Sequence, residues 1–267
     1  MKLTVNGRSA YAYTGGKPLD PTLPCVVFVH GALNDHTVWT LLARWFAHHG
    51  HSVLAVDLPG HMRSDGPPLP DVEAMADWVL ALLDVAGVKQ AALVGHSMGS
   101  LISLELAGRA PERITRLVMV GTAYPMKVSP ALLDTAREQP LKAIDMVTTF
   151  SLSSLANKPS YPGPGVWLHG GSRALMRLAL SHQDNPMLFH HDFSACDRYA
   201  NGEAAAAKLK CPAVMVLGAK DQMTQPRQAQ ALAQALKARI VTLPAGHSLM
   251  AEAPDGLLNA LKEALRP

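Results

Sequence analysis

Apolar residues in this chain follow two rhythms: short unbroken runs bounded by turn residues, and longer stretches in which they return every three or four positions. The unbroken runs predict strands buried on both faces, and the longer recurrences predict helices with one face against a core. Residues 2–14 instead alternate apolar and polar around Asn6-Gly7, a dipeptide suited to the positive φ values of a tight turn, and predict an antiparallel edge hairpin. Strands are expected at Cys25–Val29, Ser52–Asp57, Ala91–Val94, Ile114–Val120, Pro212–Leu217 and Ile240–Leu243. Between them, residues 37–49 carry Val38, Leu41, Leu42, Trp45 and Phe46 on one helical stripe ahead of Gly50, and residues 71–86 carry Met75, Trp78, Val79, Leu82 and Leu83 ahead of Gly87. A largely buried helix is expected after Ser97, through Leu101, Ile102, Leu104, Leu106 and Ala107, with others near 226–237 and from Asp255 to Leu265. Alternation of this kind builds an α/β fold on a mostly parallel sheet with helices on both faces.

The strand rhythm stops between Tyr124 and Ala207, where Pro159, Pro162, Gly163, Pro164 and Gly165 punctuate a helical and loop-like composition. This predicts a mainly helical cap, or lid, over 124–207, inserted into a core domain made of 1–123 and 208–267. The cap's apolar residues include Met146, Met176 and Phe193, and Met126, Phe150, Trp167, Met187 and Phe189 are the candidates to line a substrate pocket beneath it. About two-thirds of such residues are expected to pack within the cap or onto the core.

At 267 residues, one main core with an insertion is expected. The net charge of +3 is scattered without a basic run, which favours neither nucleic acid nor an anionic membrane as partner. No apolar run approaches a membrane span and no apolar leader opens the chain, so a cytoplasmic protein acting on a small molecule is expected, with monomer and homodimer both open. Cys25, Cys196 and Cys211 are odd in number and far apart, which predicts buried inert thiols. The neighbouring His48, His49 and His51 suit a helix C-terminus, and His190-His191-Asp192 is left outside the site because consecutive residues cannot easily face one ion. No metal or organic cofactor is expected.

The stretch Leu93-Val94-Gly95-His96-Ser97-Met98-Gly99-Ser100 reads as a strand driven into a turn and then a helix, with Ser97 at the apex of a G-x-S-x-G pattern. Small flanking residues suit strained dihedrals and a close strand–helix approach. The helix N-terminus under Ser97 adds a positive dipole end where negative charge would develop. Three further strand ends carry polar groups: His30-Gly31-Ala32, Gly218-Ala219-Lys220-Asp221 and Pro244-Ala245-Gly246-His247-Ser248.

Together these segments resemble the α/β-hydrolase family, in its serine-nucleophile, esterase-like branch. The order Ser97, Asp221, His247 is the order in which that family places nucleophile, acid and base. The resemblance implies backbone N–H groups of Ala32 and Met98 as the oxyanion hole. One departure lies in the loop after Asp57, where the family shows D-x-P-G-x-G-x-S and this chain has Met62 in place of a glycine, which predicts an altered loop. Asp57 itself is read as structural.

Serine at 97 excludes the dehalogenase and epoxide hydrolase chemistries of the same fold, which need a carboxylate nucleophile. The chemistry implied is cleavage of an ester-type bond of a small, moderately hydrophobic substrate through an acyl-serine. Lactones, thioesters, the carbon–carbon bonds of meta-cleavage products and perhydrolysis stay open, as does a hydrolase-fold small-molecule receptor with little turnover.

Overall fold

In the computed structural model, which describes residues 1–154, 166–182 and 185–266, the unbroken apolar runs line up in one sheet. The proline- and glycine-rich positions 159 and 162–165 lie outside the described residues. The strands are β1 (Lys2–Val5), β2 (Arg8–Tyr13), β3 (Cys25–Val29), β4 (Ser52–Val56), β5 (Ala91–His96), β6 (Ile114–Val120), β7 (Ala213–Gly218) and β8 (Arg239–Leu243). Their spatial order is β1-β2-β4-β3-β5-β6-β7-β8. The hairpin β1–β2 turns through Asn6 and Gly7, at φ 50° and 77°, and β2 joins β4 antiparallel. From β4 to β8 every pairing is parallel.

The helices, in chain order, are α1 (Thr40–Ala47), α2 (Val72–Val85), α3 (Met98–Arg109), α4 (Pro130–Glu138), α5 (Pro140–Ser151), α6 (Leu168–His182), α7 (Leu188–Arg198), α8 (Gly202–Lys208), α9 (Gln230–Ala235), α10 (Leu249–Glu252) and α11 (Pro254–Ala264). Strand residues alternate between two cores. Val27, Val29, Leu93 and Met215 pack with α2 and α3, whereas Val26, Phe28, Val94 and Val216 pack with α1 and α11. β3, β4, β5 and β7 are buried along their whole length, both faces being covered, and this is why they read as unbroken apolar runs.

Parallel pairing brings the strand C-termini to one edge. Val29 lies beside Gly95, His96 beside Val120, Val120 beside Val216 and Gly218 beside Leu243. The chain leaves β3 to form β4 on one side and returns to form β5 on the other, so the strand order reverses between β3 and β5, where open α/β sheets bind their ligands.

Between β6 and β7 the described chain is helical, from α4 to α8. These helices pack as α4 on α5, α5 on α6 and α4 on α7, while α8 lies on α3 and α9. Met62 takes φ 39°, so the loop after β4 keeps a left-handed residue where a glycine was expected, now with a side chain attached.

Candidate active site

Four loops at the strand C-terminal edge meet at one cavity of about 620 Å³. Gly31 and Ala32 follow β3, Ser97 follows β5, Thr224 belongs to the loop after β7, and His247 follows β8; all line it.

Ser97 has φ 52° and ψ −120°, a backbone that a residue with a side chain adopts at a cost of roughly 1–3 kcal/mol unless its surroundings impose it. Here they do. Ser97 N–H donates to the Val120 carbonyl at 2.9 Å, and its own carbonyl accepts from Ser100 N–H at 2.8 Å and Ser100 Oγ at 2.6 Å. The strained dihedral thus belongs to the serine itself. The flanking glycines answer to proximity: a Cβ on Gly95 would lie 2.5 Å from Ser103 Oγ, and one on Gly99 would lie 2.6 Å from the His30 carbonyl oxygen.

Asp221 and His247 are in contact, with Nδ1 donating to Oδ2 at 2.8 Å. The other carboxylate oxygen accepts from the N–H groups of Met223 and Thr224, each at 2.8 Å, and Thr224 Oγ1 donates to Oδ2 at 2.7 Å. Burial alone would raise the Asp221 pKa, but the charge and hydrogen bond of His247 and the bonds from Thr224 outweigh it and hold the carboxyl below its ordinary value. Because Nδ1 faces a carboxylate, His247 keeps Nε2 as its free basic nitrogen. The His247 backbone is fixed at both poles: its N–H donates to the Ser151 carbonyl at 2.7 Å, and its carbonyl accepts from His96 Nε2 at 2.9 Å. Among the described residues no hydrogen bond joins Ser97 Oγ to the imidazole, although both groups line the cavity. Such bonds are often long in unliganded enzymes.

The Ala32 and Met98 N–H groups enter no hydrogen bond among the described residues. Met98 opens α3, so its N–H has no partner within the helix.

Of the five predicted pocket residues, Met126, Phe150 and Trp167 line the cavity and two do not. Met187 is 41% exposed at the start of α7, on the outer surface. Phe189 is fully buried, with its ring centroid 4.8 Å from that of Phe193, and packs in the core. Helical periodicity shows which face is buried but not whether it meets a cavity or close-packed side chains, and here Phe193 reaches the cavity in place of Phe189.

Among the described residues Asp35, His36 and Asp57 are grouped closely enough to suggest metal ligation. Their ligand atoms are already engaged. Asp57 Oδ1 accepts from His36 N–H and Nδ1, its Oδ2 accepts from Arg63 N–H, and Asp35 Oδ1 accepts from Thr37 N–H and Oγ1. Asp57 is thereby a loop anchor beneath the strand edge.

The sequence reading passed over His96, Thr224 and Glu252. Glu252 accepts from Gly246 N–H at 2.9 Å and from Ser153 N–H at 2.8 Å, tying the histidine loop to the end of α5. It also left out Asp192, whose signal is its place on the buried face of α7 with Leu188, Phe189, Ala195 and Cys196. A carboxylate on an apolar helix face requires a partner.

A family model described as the alpha/beta hydrolase fold matches residues 24–159. The chain is 29% identical over 266 residues to the dihydrolipoyllysine-residue acetyltransferase component of the acetoin cleaving system of Pseudomonas putida; the match covers 94% of this chain and 64%, less than two thirds, of that protein. It is 26% identical over 255 residues to the sn-1-specific diacylglycerol lipase of Mus musculus, covering 92% of this chain and 82% of the lipase. Among solved structures, the enol-lactonase from Burkholderia xenovorans LB400 superposes with a TM-score of 0.82 at 25% identity, covering 99% of each chain.

Proposed function

Because the chain belongs to the alpha/beta hydrolase fold family, we propose that it is a serine hydrolase cleaving an ester-type bond of a small, uncharged, moderately hydrophobic substrate. The observation that carries this reading is the Asp221–His247 contact, with His247 and Ser97 lining one cavity. A serine hydroxyl is a weak nucleophile at neutral pH and needs a base. In the proposed reaction Ser97 Oγ attacks the acyl carbon and His247 Nε2 takes the hydroxyl proton, while Asp221 holds the tautomer and stabilises the imidazolium. The carbonyl oxygen, now negative, receives the Ala32 and Met98 N–H groups. Collapse breaks the acyl–oxygen bond, His247 returns its proton to the leaving alkoxide, and acyl-Ser97 remains. Water then attacks the acyl carbon with His247 as base, releasing the acid and restoring Ser97.

The cavity supports an uncharged substrate. Its walls are dominated by Met126, Met146, Phe150, Trp167, Met176 and Phe193, and Lys127 is the one Lys or Arg among the described lining residues. Its ammonium donates to the Asp197 carbonyl at 2.6 Å. The similar proteins include a diacylglycerol lipase and an enol-lactonase by name, in keeping with an ester-type bond. A panel of p-nitrophenyl esters, thioesters and lactones, run with the parent and with Ser97→Ala, tests the proposal. Hydrolysis of short p-nitrophenyl esters that disappears in the variant is expected. No turnover by the parent across the panel would contradict it and favour a ligand-binding receptor on the same fold.

A further inference from the structure

Asp192 is fully buried in the middle of α7, on the inserted segment, yet it reaches the loop that carries Ala32. Its Oδ2 accepts from Leu33 N–H at 2.8 Å and from His61 Nε2 at 2.9 Å. Leu33 N–H belongs to the Ala32–Leu33 peptide, whose carbonyl accepts from Asn34 Nδ2 at 3.0 Å. That peptide is therefore held at both poles. The preceding peptide, which carries the Ala32 N–H itself, is held at its carbonyl by His30 Nδ1 at 2.8 Å. Leu33 has φ 52°, a left-handed backbone that persists in a residue with a side chain where the surroundings enforce it.

His61 faces two acceptors, the Pro59 carbonyl at 3.1 Å from Nδ1 and Asp192 Oδ2 at 2.9 Å from Nε2, an arrangement that favours a ring donating from both nitrogens. Burial alone would lower its pKa, but the Asp192 charge and hydrogen bond and the Pro59 carbonyl outweigh it and raise it. The His61 ring stands 4.9 Å from that of His30. His30 accepts from Leu58 N–H at Nε2, which leaves it neutral.

We infer that Asp192 and His61 are positioning residues for the oxyanion site, the carboxylate fixing the Ala32–Leu33 peptide and the imidazolium cancelling its charge. An uncompensated carboxylate here would oppose the negative charge that develops on the substrate oxygen. The inference rests on the reading of Ala32 N–H as an oxyanion donor. It makes an asymmetric prediction: losing His61 alone leaves a bare anion near the hole, whereas losing both charges does not.

The test uses the full chain carrying Asp192→Ala, Asp192→Asn, His61→Gln or His61→Gln with Asp192→Asn. Folding is checked by near-ultraviolet circular dichroism. Turnover is followed with p-nitrophenyl butyrate, and binding with phenylboronic acid, which becomes tetrahedral on Ser97, and with butyranilide, a planar uncharged analogue. We expect kcat to fall about 30- to 100-fold in Asp192→Ala and His61→Gln with KM within about 3-fold. Boronate affinity should fall in parallel with kcat while butyranilide affinity holds, and Asp192→Asn should recover part of the loss through its amide oxygen. The double variant should be more active than His61→Gln alone. Should Asp192→Ala fail to fold, the asparagine and glutamine variants carry the same comparison. Folded variants with parental kcat and boronate affinity, or with boronate and butyranilide weakened equally, would overturn the inference. A parent that neither hydrolyses the ester nor binds the boronic acid would instead overturn the hydrolase reading beneath it.

Discussion

Gly99→Ala tests whether the spacing between β3 and α3 sets the geometry of the two proposed oxyanion donors, Ala32 N–H and Met98 N–H. The added Cβ would lie 2.6 Å from the His30 carbonyl oxygen and 2.8 Å from the Val29 carbonyl carbon, against 3.4 Å for an ordinary contact. These are backbone atoms and cannot turn aside. Restoring the His30 contact requires a displacement of 3.4 − 2.6, or 0.8 Å. Overpacking of this kind costs roughly 1–3 kcal/mol, and at about 2–4 °C per kcal/mol the melting temperature should drop by roughly 2–12 °C. The displacement also separates the Met98 N–H, at the start of α3, from the Ala32 N–H, just beyond β3. A misplacement near 1 Å costs on the order of 100-fold in rate, so kcat for p-nitrophenyl butyrate should fall by about that factor with KM little changed. Calorimetry and steady-state kinetics on parent and variant make the comparison. A variant within threefold of the parent in kcat would refute the argument that this contact spaces the two donors.

Three further outcomes follow from other parts of the structure. Glu252→Ala removes the acceptor shared by Gly246 N–H and Ser153 N–H, and leaving such groups unpaired costs about 1–3 kcal/mol; thermal unfolding should show the loss, with kcat falling as the His247 loop loosens, and an unchanged melting temperature would contradict it. His96 is pushed down to about 3 and His30 to about 4, by burial first and by the neighbouring imidazoles His247 and His61 second. Both are neutral in the folded chain while the unfolded chain takes up protons below about pH 6.5, so the stability they confer is full above that pH and is lost as pH falls, at about 1.4 kcal/mol per pH unit for each group. His61, with its raised pKa, acts in the opposite sense: its contribution is full below about pH 6.5 and declines as pH rises through the folded value. Urea unfolding at pH 7 and pH 5 should therefore show a marked loss on the acid side, and equal stabilities would contradict the assignment. Finally, a p-nitrophenyl ester with a free carboxylate at the far end of its acyl chain should have kcat/KM about 100-fold below that of its methyl-terminated counterpart, because the described cavity offers no free cation to pair with it.

The parts of this molecule that were legible in the sequence are those in which one short segment declares its own surroundings. Cys25–Val29 and Ala213–Gly218 read as parallel strands because a strand covered on both faces has no polar side. Ser97, Asp221 and His247 are legible because each stands just beyond a strand of the parallel sheet, and parallel pairing brings strand ends together. Groups whose role depends on distant packing were not legible. Asp192 lies 131 residues from His61, and its neighbours His190 and His191 drew attention to metal ligation rather than to the buried helix face. Met187 and Phe189 misled for a related reason, since an apolar residue at a helix start gives no indication of whether solvent, core or cavity will cover it. The two glycines of the G-x-S-x-G pattern bear out one of their two expected roles. The positive φ falls on Ser97, and Gly95 and Gly99 serve the close approach of strand and helix.

Whether Ser97 is an activated nucleophile is decided most directly by mass spectrometry of the intact protein after exposure to a fluorophosphonate. With His247 as the proposed base and the Ala32 and Met98 N–H groups as the proposed oxyanion donors, attack of Ser97 Oγ on phosphorus with loss of fluoride is favoured, so one phosphonyl group per chain should appear, mapped to the peptide holding Ser97 and absent from Ser97→Ala and His247→Ala. A parent protein of unchanged mass, or a label mapped to another residue, would contradict the account.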